Sequence, residues 1–97
     1  MTIKEPVKFI WDQGNRDKNW RKHKVTNQEC EEAFFDKKKI IYKDVFHSED
    51  EERLIVIGKT EKGRLLYAVF TTRDEKIRVI SARDINKKEV KFYEKAT

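Results

Sequence analysis

Several features that mark particular protein classes are scarce in this sequence. The single cysteine, Cys30, cannot form an internal disulfide, so a reducing cytoplasm is the expected location. No apolar run approaches the roughly 20 residues of a membrane span, and the N-terminus lacks a signal-peptide pattern. We therefore expect no membrane association. The two histidines and the cysteine stand at no ligand spacing, so we expect neither a structural metal site nor a cofactor.

Apolar residues are also sparse, although they suffice for a small core. Hydrophobic residues make up 37% of the 97 residues and charged residues 42%, while 11% are aromatic. The aromatic residues and the dense apolar segments exceed what a disordered chain contains. We interpret residues 1–97 as a single domain with a thin core and a strongly solvated surface.

Positive charge is concentrated at the two ends of the chain. The formal net charge is +5, and residues 8–24 contain six basic and two acidic side chains. Residues 73–97 contain eight basic and five acidic ones, whereas the segment "SEDEER" between the two ends is acidic. If folding brings the two ends together, they form one basic face that suits a polyanion.

The first quarter of the chain predicts a strand and then a helix. "VKFIW" (Val7–Trp11) is typical of a short strand, and Asp12 can cap a helix that follows it. The segment Asp12–Lys24 is polar, with Trp20 as its one large apolar residue. We therefore predict a helix that Trp20 anchors to the core.

Two capping boxes predict the starts of two further helices. In each, a polar residue is followed three positions later by Glu: Thr26 with Glu29, and Asn86 with Glu89. Apolar residues flank each box as a hydrophobic staple requires, and Cys30 is interpreted as a small buried apolar residue in the first of them.

Between these helices the sequence predicts four strands. A short one lies around Ile40–Val45, and three more begin at Arg53, Arg64 and Lys76. The links "TEKG" and "RDE" are short enough for hairpins. The element order is β-α-α-β-β-β-β-α, which predicts an α+β fold with helices packed on a small antiparallel sheet.

The last strand contains two arginines among apolar residues. Regular alternation places Arg78 and Arg83 on opposite faces, whereas a β-bulge near Ser81 would bring them together. A planar guanidinium donates two parallel hydrogen bonds to phosphate and keeps its charge at cellular pH. Arginines on an open sheet face therefore suit RNA or a phosphorane-like transition state. Judged by residue type alone, surface ion pairs with Glu51, Glu52 or Glu89 are the more common role of such arginines. Further candidates for RNA contact are Arg53, Arg64, Arg73, Lys22 and Tyr93.

Proton transfer has four candidate residues. His23 lies in the basic N-terminal segment and His47 in the acidic loop, and imidazoles exchange protons near pH 7. Glu89 and Tyr93 lie one helical turn apart and share a face. A surface histidine, a capping glutamate and a core tyrosine are the structural alternatives.

The ordered set of motifs resembles the BrnT family of bacterial type II toxins. The similar segments are "FIWD", "NWRKHKVTNQECEEAFFD", "HSEDEERLIVIGKT", "GRLLYAVFTTR" and "IRVISARDINKKEVKFYE", which span nearly the whole chain. The family usually has glycine after the histidine of its first helix, where this chain has Lys24. Glycine accepts a left-handed helix end more readily than lysine.

The resemblance implies a RelE-like ribonuclease fold and cleavage of mRNA without a metal ion. His23 or Glu89 would accept the proton of the ribose 2′-OH, and Arg78 and Arg83 would stabilise the transition state. It also implies a BrnA-like antitoxin of the ribbon-helix-helix class, and binding of promoter DNA only through the toxin–antitoxin complex. The alternative function is a non-catalytic basic module that binds RNA or a partner and acts as a co-repressor.

Overall fold

The computed structural model describes residues 8–46 and 51–96. Its helices and strands, in chain order, are α1 (Lys18–His23), α2 (Asn27–Phe34), β1 (Ile40–Lys43), β2 (Leu54–Lys59), β3 (Leu65–Arg73), β4 (Lys76–Asp84) and α3 (Lys87–Ala96). The strands form one sheet in the order β1-β2-β3-β4, with each neighbouring pair antiparallel. The α+β prediction is therefore confirmed. His47 lies outside the described residues.

Tight turns join the sheet strands. Asp74 and Glu75 link β3 to β4 and both have positive φ, 52° and 64°, which is the backbone of a type I′ hairpin turn. Gly63, between β2 and β3, has a φ of 91° that few side chains tolerate. The predicted hairpins are thus present, with short links as the sequence indicated.

Each face of the sheet carries a hydrophobic cluster. On one face α2 packs against the strands, and Phe34 meets Phe70 edge to face at 4.9 Å between ring centroids. Gly58 of β2 permits this close approach, because a Cβ there would lie 2.2 Å from the carbonyl oxygen of Ala33. On the other face Tyr93 of α3 packs with Ile55 and Ile57 of β2.

Both predicted capping boxes are formed. The Thr26 hydroxyl accepts a hydrogen bond from the Glu29 amide at 3.0 Å, and the Glu29 carboxylate accepts one from the Thr26 amide at 3.0 Å. Asn86 and Glu89 exchange the same pair of bonds, each 2.9 Å long. These reciprocal bonds satisfy amides that the first helical turn leaves without partners.

The predicted first strand is wrong in extent. Among the described residues of this segment only Phe9 pairs, through a parallel bridge to Ile77 of β4. The predicted helix also starts later than Asp12, because residues 13–17 form turns and α1 begins at Lys18. Asp12 does not cap α1: its carboxylate accepts from the Gly14 amide, 2.9 Å away, and from Arg78.

The predicted anchor of α1 is also wrong. Trp20 is 47% exposed, whereas its neighbour Asn19 is 2% exposed and accepts a 2.8 Å hydrogen bond from the Ala82 amide of β4. Asn19 is buried at this position because its side-chain oxygen accepts a hydrogen bond from an edge-strand amide that needs a partner. The helix ends at Lys24 with a φ of 56°. Lysine thus adopts the left-handed conformation for which glycine is better suited.

The outer edge of β4 is covered by the N-terminal segment. Main-chain bonds join Ile77 to Lys8 and Ile10, each 2.8 Å long. Further along, the Asn15 side chain donates to the Val79 carbonyl and Lys18 to the Ile80 carbonyl. With the contact from Asn19, these bonds occupy the polar groups that an edge strand otherwise presents to other chains.

No helix within residues 8–46 and 51–96 is long and apolar enough to cross a membrane.

Candidate functional site

A β-bulge places the two arginines of β4 on the same face of the sheet. The register shifts between Val69 and Phe70, which pair with Ser81 and Val79, so Ile80 is the extra residue. Arg78 pairs with Thr71 and Arg83 with Tyr67, and these positions of β3 lie on one face by alternation. Four strand positions separate the arginines, or about 13 Å along β3.

The face that carries both arginines is only partly covered. Tyr93 of α3 packs over β2, whereas β3 and β4 are less well covered on this side. The side chains between the arginines are all half-buried: Tyr67, Val69, Ile80 and Ser81. This half of the sheet, which we call the arginine face, is therefore only partly shielded from solvent.

The guanidinium of Arg83 is held in a fixed position. It donates two parallel bonds to Glu89, of 2.9 and 2.8 Å, and a third of 3.0 Å to the Asp84 carbonyl. Its plane lies over the Tyr67 ring, 4.0 Å from the centroid. The Arg83 side chain is 37% exposed. An ordered, partly exposed cation of this kind loses little side-chain freedom when it binds an anion.

Glu89 is poorly placed to take a proton. Desolvation by burial is the largest influence on its pKa and would raise it, but the bonds from Arg83 and the Asn86 amide outweigh burial and lower the pKa. Both carboxylate oxygens already accept hydrogen bonds. Glu89 is therefore ionised but weakly basic, and its visible role is to cap α3 and to orient Arg83.

Arg78 is paired with an acid from the N-terminal turns. Its Nη2 atom lies 3.1 Å from Oδ1 of Asp12, and its Nε lies 3.3 Å from Oδ2. The Arg78 hydrogen bonds lower the pKa of Asp12. The Nη1 group makes no hydrogen bond within the described residues, although the side chain is only 16% exposed. Arg78 thus keeps donors for a further acceptor at the rim of the arginine face.

The Arg64 side chain connects α1, α2 and β4 at the corner where these elements meet. All five of its N–H groups are engaged. They contact the Asp84 carboxylate at 2.6 and 3.0 Å, the Lys24 and His23 carbonyls at 2.7 and 3.2 Å, and Glu29 at 3.2 Å. No donor remains for RNA. The structure gives Arg64 a structural role, which differs from its predicted contact with RNA.

This corner determines the position of His23. His23 is the last residue of α1 and is exposed, and its carbonyl is fixed by the same guanidinium that binds Asp84. The pKa of Asp84 is lowered chiefly by its bonds from Arg64, the residue that also holds the His23 backbone. His23 thus lies toward the end of β4 that carries Arg83, although Arg83 and Asp84 point to opposite faces of the sheet by alternation.

The remaining predicted contacts are dispersed. Tyr93 is buried, and its hydroxyl donates a 2.6 Å bond to Asp36. Burial and this bond raise its pKa to about 12. In this arrangement Tyr93 is a core residue whose cluster also contacts Tyr67 and Val69 of the arginine face. Arg73 lies at the end of β3, 3.4 Å from Glu51, and Lys22 is exposed on α1. Arg53 is half-buried just before β2.

Two residues of the site were not predicted. The Tyr67 ring stacks against the Arg83 guanidinium. Its position opposite Arg83 could have been found by pairing the predicted β3 and β4 as a hairpin. Asp12 is 66 positions away from Arg78 along the chain, and no local pattern connects them. Residues 8–46 and 51–96 contain no group of three or more His, Cys, Asp or Glu side chains that could hold a metal ion.

Comparison with known proteins identifies a family. A family model described as "Ribonuclease toxin, BrnT, of type II toxin-antitoxin system" matches residues 11–89. The matched range includes the whole sheet, both arginines, His23 and Glu89. A search of the curated proteins found no match.

Proposed function

Since the chain belongs to the BrnT family of ribonuclease toxins of type II toxin–antitoxin systems, we propose that it is a metal-independent endoribonuclease that cleaves mRNA in the cytoplasm and so inhibits translation and growth. The observation that carries this proposal is the arginine face. A bulge in β4 turns Arg78 and Arg83 to one half-open side of the sheet, and each guanidinium is oriented by a carboxylate. Fixed cations of this kind suit an RNA backbone.

The proposed reaction uses the RNA itself as the nucleophile. The ribose 2′-oxygen attacks the adjacent phosphorus, the bond from phosphorus to the 5′-oxygen breaks, and the products are a 2′,3′-cyclic phosphate and a 5′-hydroxyl. A base takes the 2′-OH proton, and an acid returns a proton to the leaving oxygen. Arg83, already ordered over Tyr67, stabilises the extra negative charge on the phosphate in the transition state.

His23 is the better candidate for the base. It is exposed at the end of α1, and the guanidinium that holds its carbonyl also binds Asp84, the last residue of β4. Glu89, the other candidate, is occupied by Arg83 and the Asn86 amide. We therefore assign proton transfer to His23 and the orientation of Arg83 to Glu89. Arg78, about 13 Å from Arg83 along the strand, would hold a neighbouring part of the same RNA strand, and Arg53, Arg73 and Lys22 would extend the contact.

The family implies an antitoxin that silences the toxin in the cell that makes it. We propose that this antitoxin is a small BrnA-like protein of the ribbon-helix-helix class. Its DNA-binding half would give the complex, and not the toxin alone, affinity for the promoter. Acidic groups on the antitoxin would complement the basic toxin, and such complementarity gives fast, salt-sensitive association.

The ion pairs of the site favour a second candidate function, that of a non-catalytic co-repressor. Arg78, Arg83 and Arg73 each contact a carboxylate, as surface salt bridges do without any ligand. A non-catalytic module that binds RNA or the antitoxin and acts as a co-repressor needs no more than this. The two functions differ in one outcome, because only a ribonuclease arrests growth by destroying RNA.

Growth after induction without the antitoxin tests the proposal. We expect the unmodified chain to arrest bacterial growth, and Arg83→Ala and Arg78→Ala to relieve the arrest, since loss of one donor to a transition-state anion costs about 10²–10³ in rate. Lys95→Ala is the matched control, because it removes an exposed cation at the end of α3. Equal toxicity of all folded variants would overturn the arginine site, and a harmless unmodified chain would favour the co-repressor.

A further inference from the structure

The two edges of the sheet differ in how far other segments of the chain cover them. The outer edge of β4 is covered by the N-terminal segment and by the side chains of Asn15, Lys18 and Asn19. At the other edge, β1 pairs only with β2, and within the described residues no segment covers its outer side. An uncovered edge strand presents N–H and C=O groups that another chain can bind.

The hydrogen-bond pattern identifies which groups of β1 point outward. Asp44 pairs with Arg53, and its amide donates to the Arg53 carbonyl at 2.9 Å. In an antiparallel ladder, bonded and non-bonded pairs alternate. Tyr42 therefore faces β2, whereas the N–H and C=O groups of Ile41 and Lys43 face away from the sheet. This edge offers two donors and two acceptors at the spacing of an added strand.

Positive charge surrounds this edge. Lys37, Lys38 and Lys39 directly precede β1, and Lys43 is its last residue. None of the four lysines has an ion pair among the described residues. The two carboxylates that flank this segment are engaged: Asp36 accepts from the Tyr93 hydroxyl and the amides of Lys38 and Lys59, and the buried Asp44 accepts from the Phe46 amide. The edge therefore favours an acidic occupant.

Apolar side chains lie beside the same edge. Tyr42 meets Phe92 of α3 edge to face, with 5.5 Å between ring centroids, and Phe92 remains 47% exposed. Phe46, just beyond β1, is 83% exposed. An added strand would place every second side chain on the side of Tyr42 and Phe92, where an apolar residue removes their rings from water.

We propose that the outer edge of β1 binds an extended acidic segment of the antitoxin, which joins the sheet as a fifth strand with apolar residues at alternate positions. The proposal rests on the proposed function only for the existence of the antitoxin. A second copy of this chain is a poor occupant, because it would bring the same group of lysines to the contact and like charges repel. The contact is separate from the arginine face, since three strand spacings, about 14 Å, separate β1 from β4.

Amide hydrogen exchange tests the strand. The isotope-labelled chain would be compared free and in complex with the purified product of the adjoining reading frame. We expect the amides of Ile41 and Lys43 to exchange at nearly unprotected rates in the free chain and at least about tenfold more slowly in the complex. The Tyr42 amide should be protected in both states. New protection only around α1 and β4, or no complex at all, would overturn the assignment.

Charge reversal tests the acidic occupant. Lys43→Glu should weaken the complex at least about tenfold, because a like charge replaces an attractive one. Lys76→Glu, on β4 at the opposite edge, makes the same change in net charge and should have a much smaller effect. Equal losses would contradict the inference. Ribonuclease activity, measured on the same free chains, is independent of the edge, so its absence would overturn the proposed function alone.

Discussion

Replacing Arg64 with methionine should destabilise the whole domain, although the side chain lies at the surface. Arg64 makes hydrogen bonds to two carboxylates and two carbonyls, so it joins α1, the capping box of α2 and the end of β4. Methionine keeps much of the aliphatic stem and removes all of these bonds. The side chain is only 26% exposed, so water replaces its bonds incompletely.

The expected loss follows from these contacts. A hydrogen bond to a charged group contributes about 1.5–3 kcal/mol when buried, and exposed ion pairs about 0–1 kcal/mol. In the variant, water can hydrate the Asp84 carboxylate, which is 63% exposed. The Glu29 carboxylate is only 26% exposed and is hydrated less well. We expect a total loss of about 2–3 kcal/mol, which lowers the melting temperature of a domain of this size by roughly 10 °C or more.

The loss should also depend on pH. The Arg64 hydrogen bonds are the largest cause of the lowered pKa of Asp84. For Glu29, burial is the largest influence and raises the pKa, but the bonds from Thr26 and Arg64 outweigh it. A carboxyl with a lowered folded pKa stabilises the fold above its unfolded pKa, and this contribution disappears as pH falls through the folded pKa. The difference between parent and variant should therefore be larger near pH 7 than at about pH 3.

Urea unfolding at both pH values measures this difference. Arg73→Met is the matched control, because Arg73 has one 3.4 Å contact with Glu51 and is 51% exposed. It should cost less than about 0.5 kcal/mol. If the two variants lose the same small amount, the corner around Arg64 does not support the fold, and the reasoning that positions His23 is refuted.

Three other variants and one chemical modification test the fold. Thr26→Ala and Asn86→Ala should each cost about 0.5–2 kcal/mol in urea unfolding, because each removes the acceptor of a capping box, and unchanged midpoints would contradict both boxes. Gly58→Ala should cost at least about 1–3 kcal/mol, since its Cβ would lie 2.2 Å from the Ala33 carbonyl oxygen, and a neutral effect would contradict the packing of α2 on β2. Cys30 is fully buried and desolvation raises its pKa to about 12, so iodoacetamide should modify it only after unfolding, and rapid modification of the folded chain would refute its burial.

The sequence predicted those elements whose signals are local. The two capping boxes depend on residues three positions apart, and the strands depend on alternation and on short links, so both follow from neighbouring residues. The start of α1 was wrong for the same reason. Nothing near Asp12 reveals that its carboxylate binds Arg78 of β4 and does not cap a helix, or that α1 begins only at Lys18.

The sequence predicted which residue types form the site better than it predicted how their side chains are arranged. Alternation allowed Arg78 and Arg83 to lie on opposite faces or on one face, and only the bulge at Ile80 decides between them. Arg64 and Arg83 have similar strand-end positions in the sequence, but one is surrounded by acceptors from three elements and the other stacks on Tyr67. Such differences arise from contacts between residues far apart in the chain.

Cleavage of a defined RNA by the purified free chain tests whether this protein is a metal-independent ribonuclease. One oligonucleotide would be all-ribose and a second would carry a single 2′-deoxy residue at the cleaved position, each incubated with EDTA. We expect the all-ribose strand to be cut to a 2′,3′-cyclic phosphate and a 5′-hydroxyl and the 2′-deoxy strand to stay intact at that position. Arg83→Ala should slow cleavage about 10²–10³-fold. Cleavage of the 2′-deoxy strand, a requirement for a divalent cation, or full activity of Arg83→Ala would contradict this expectation.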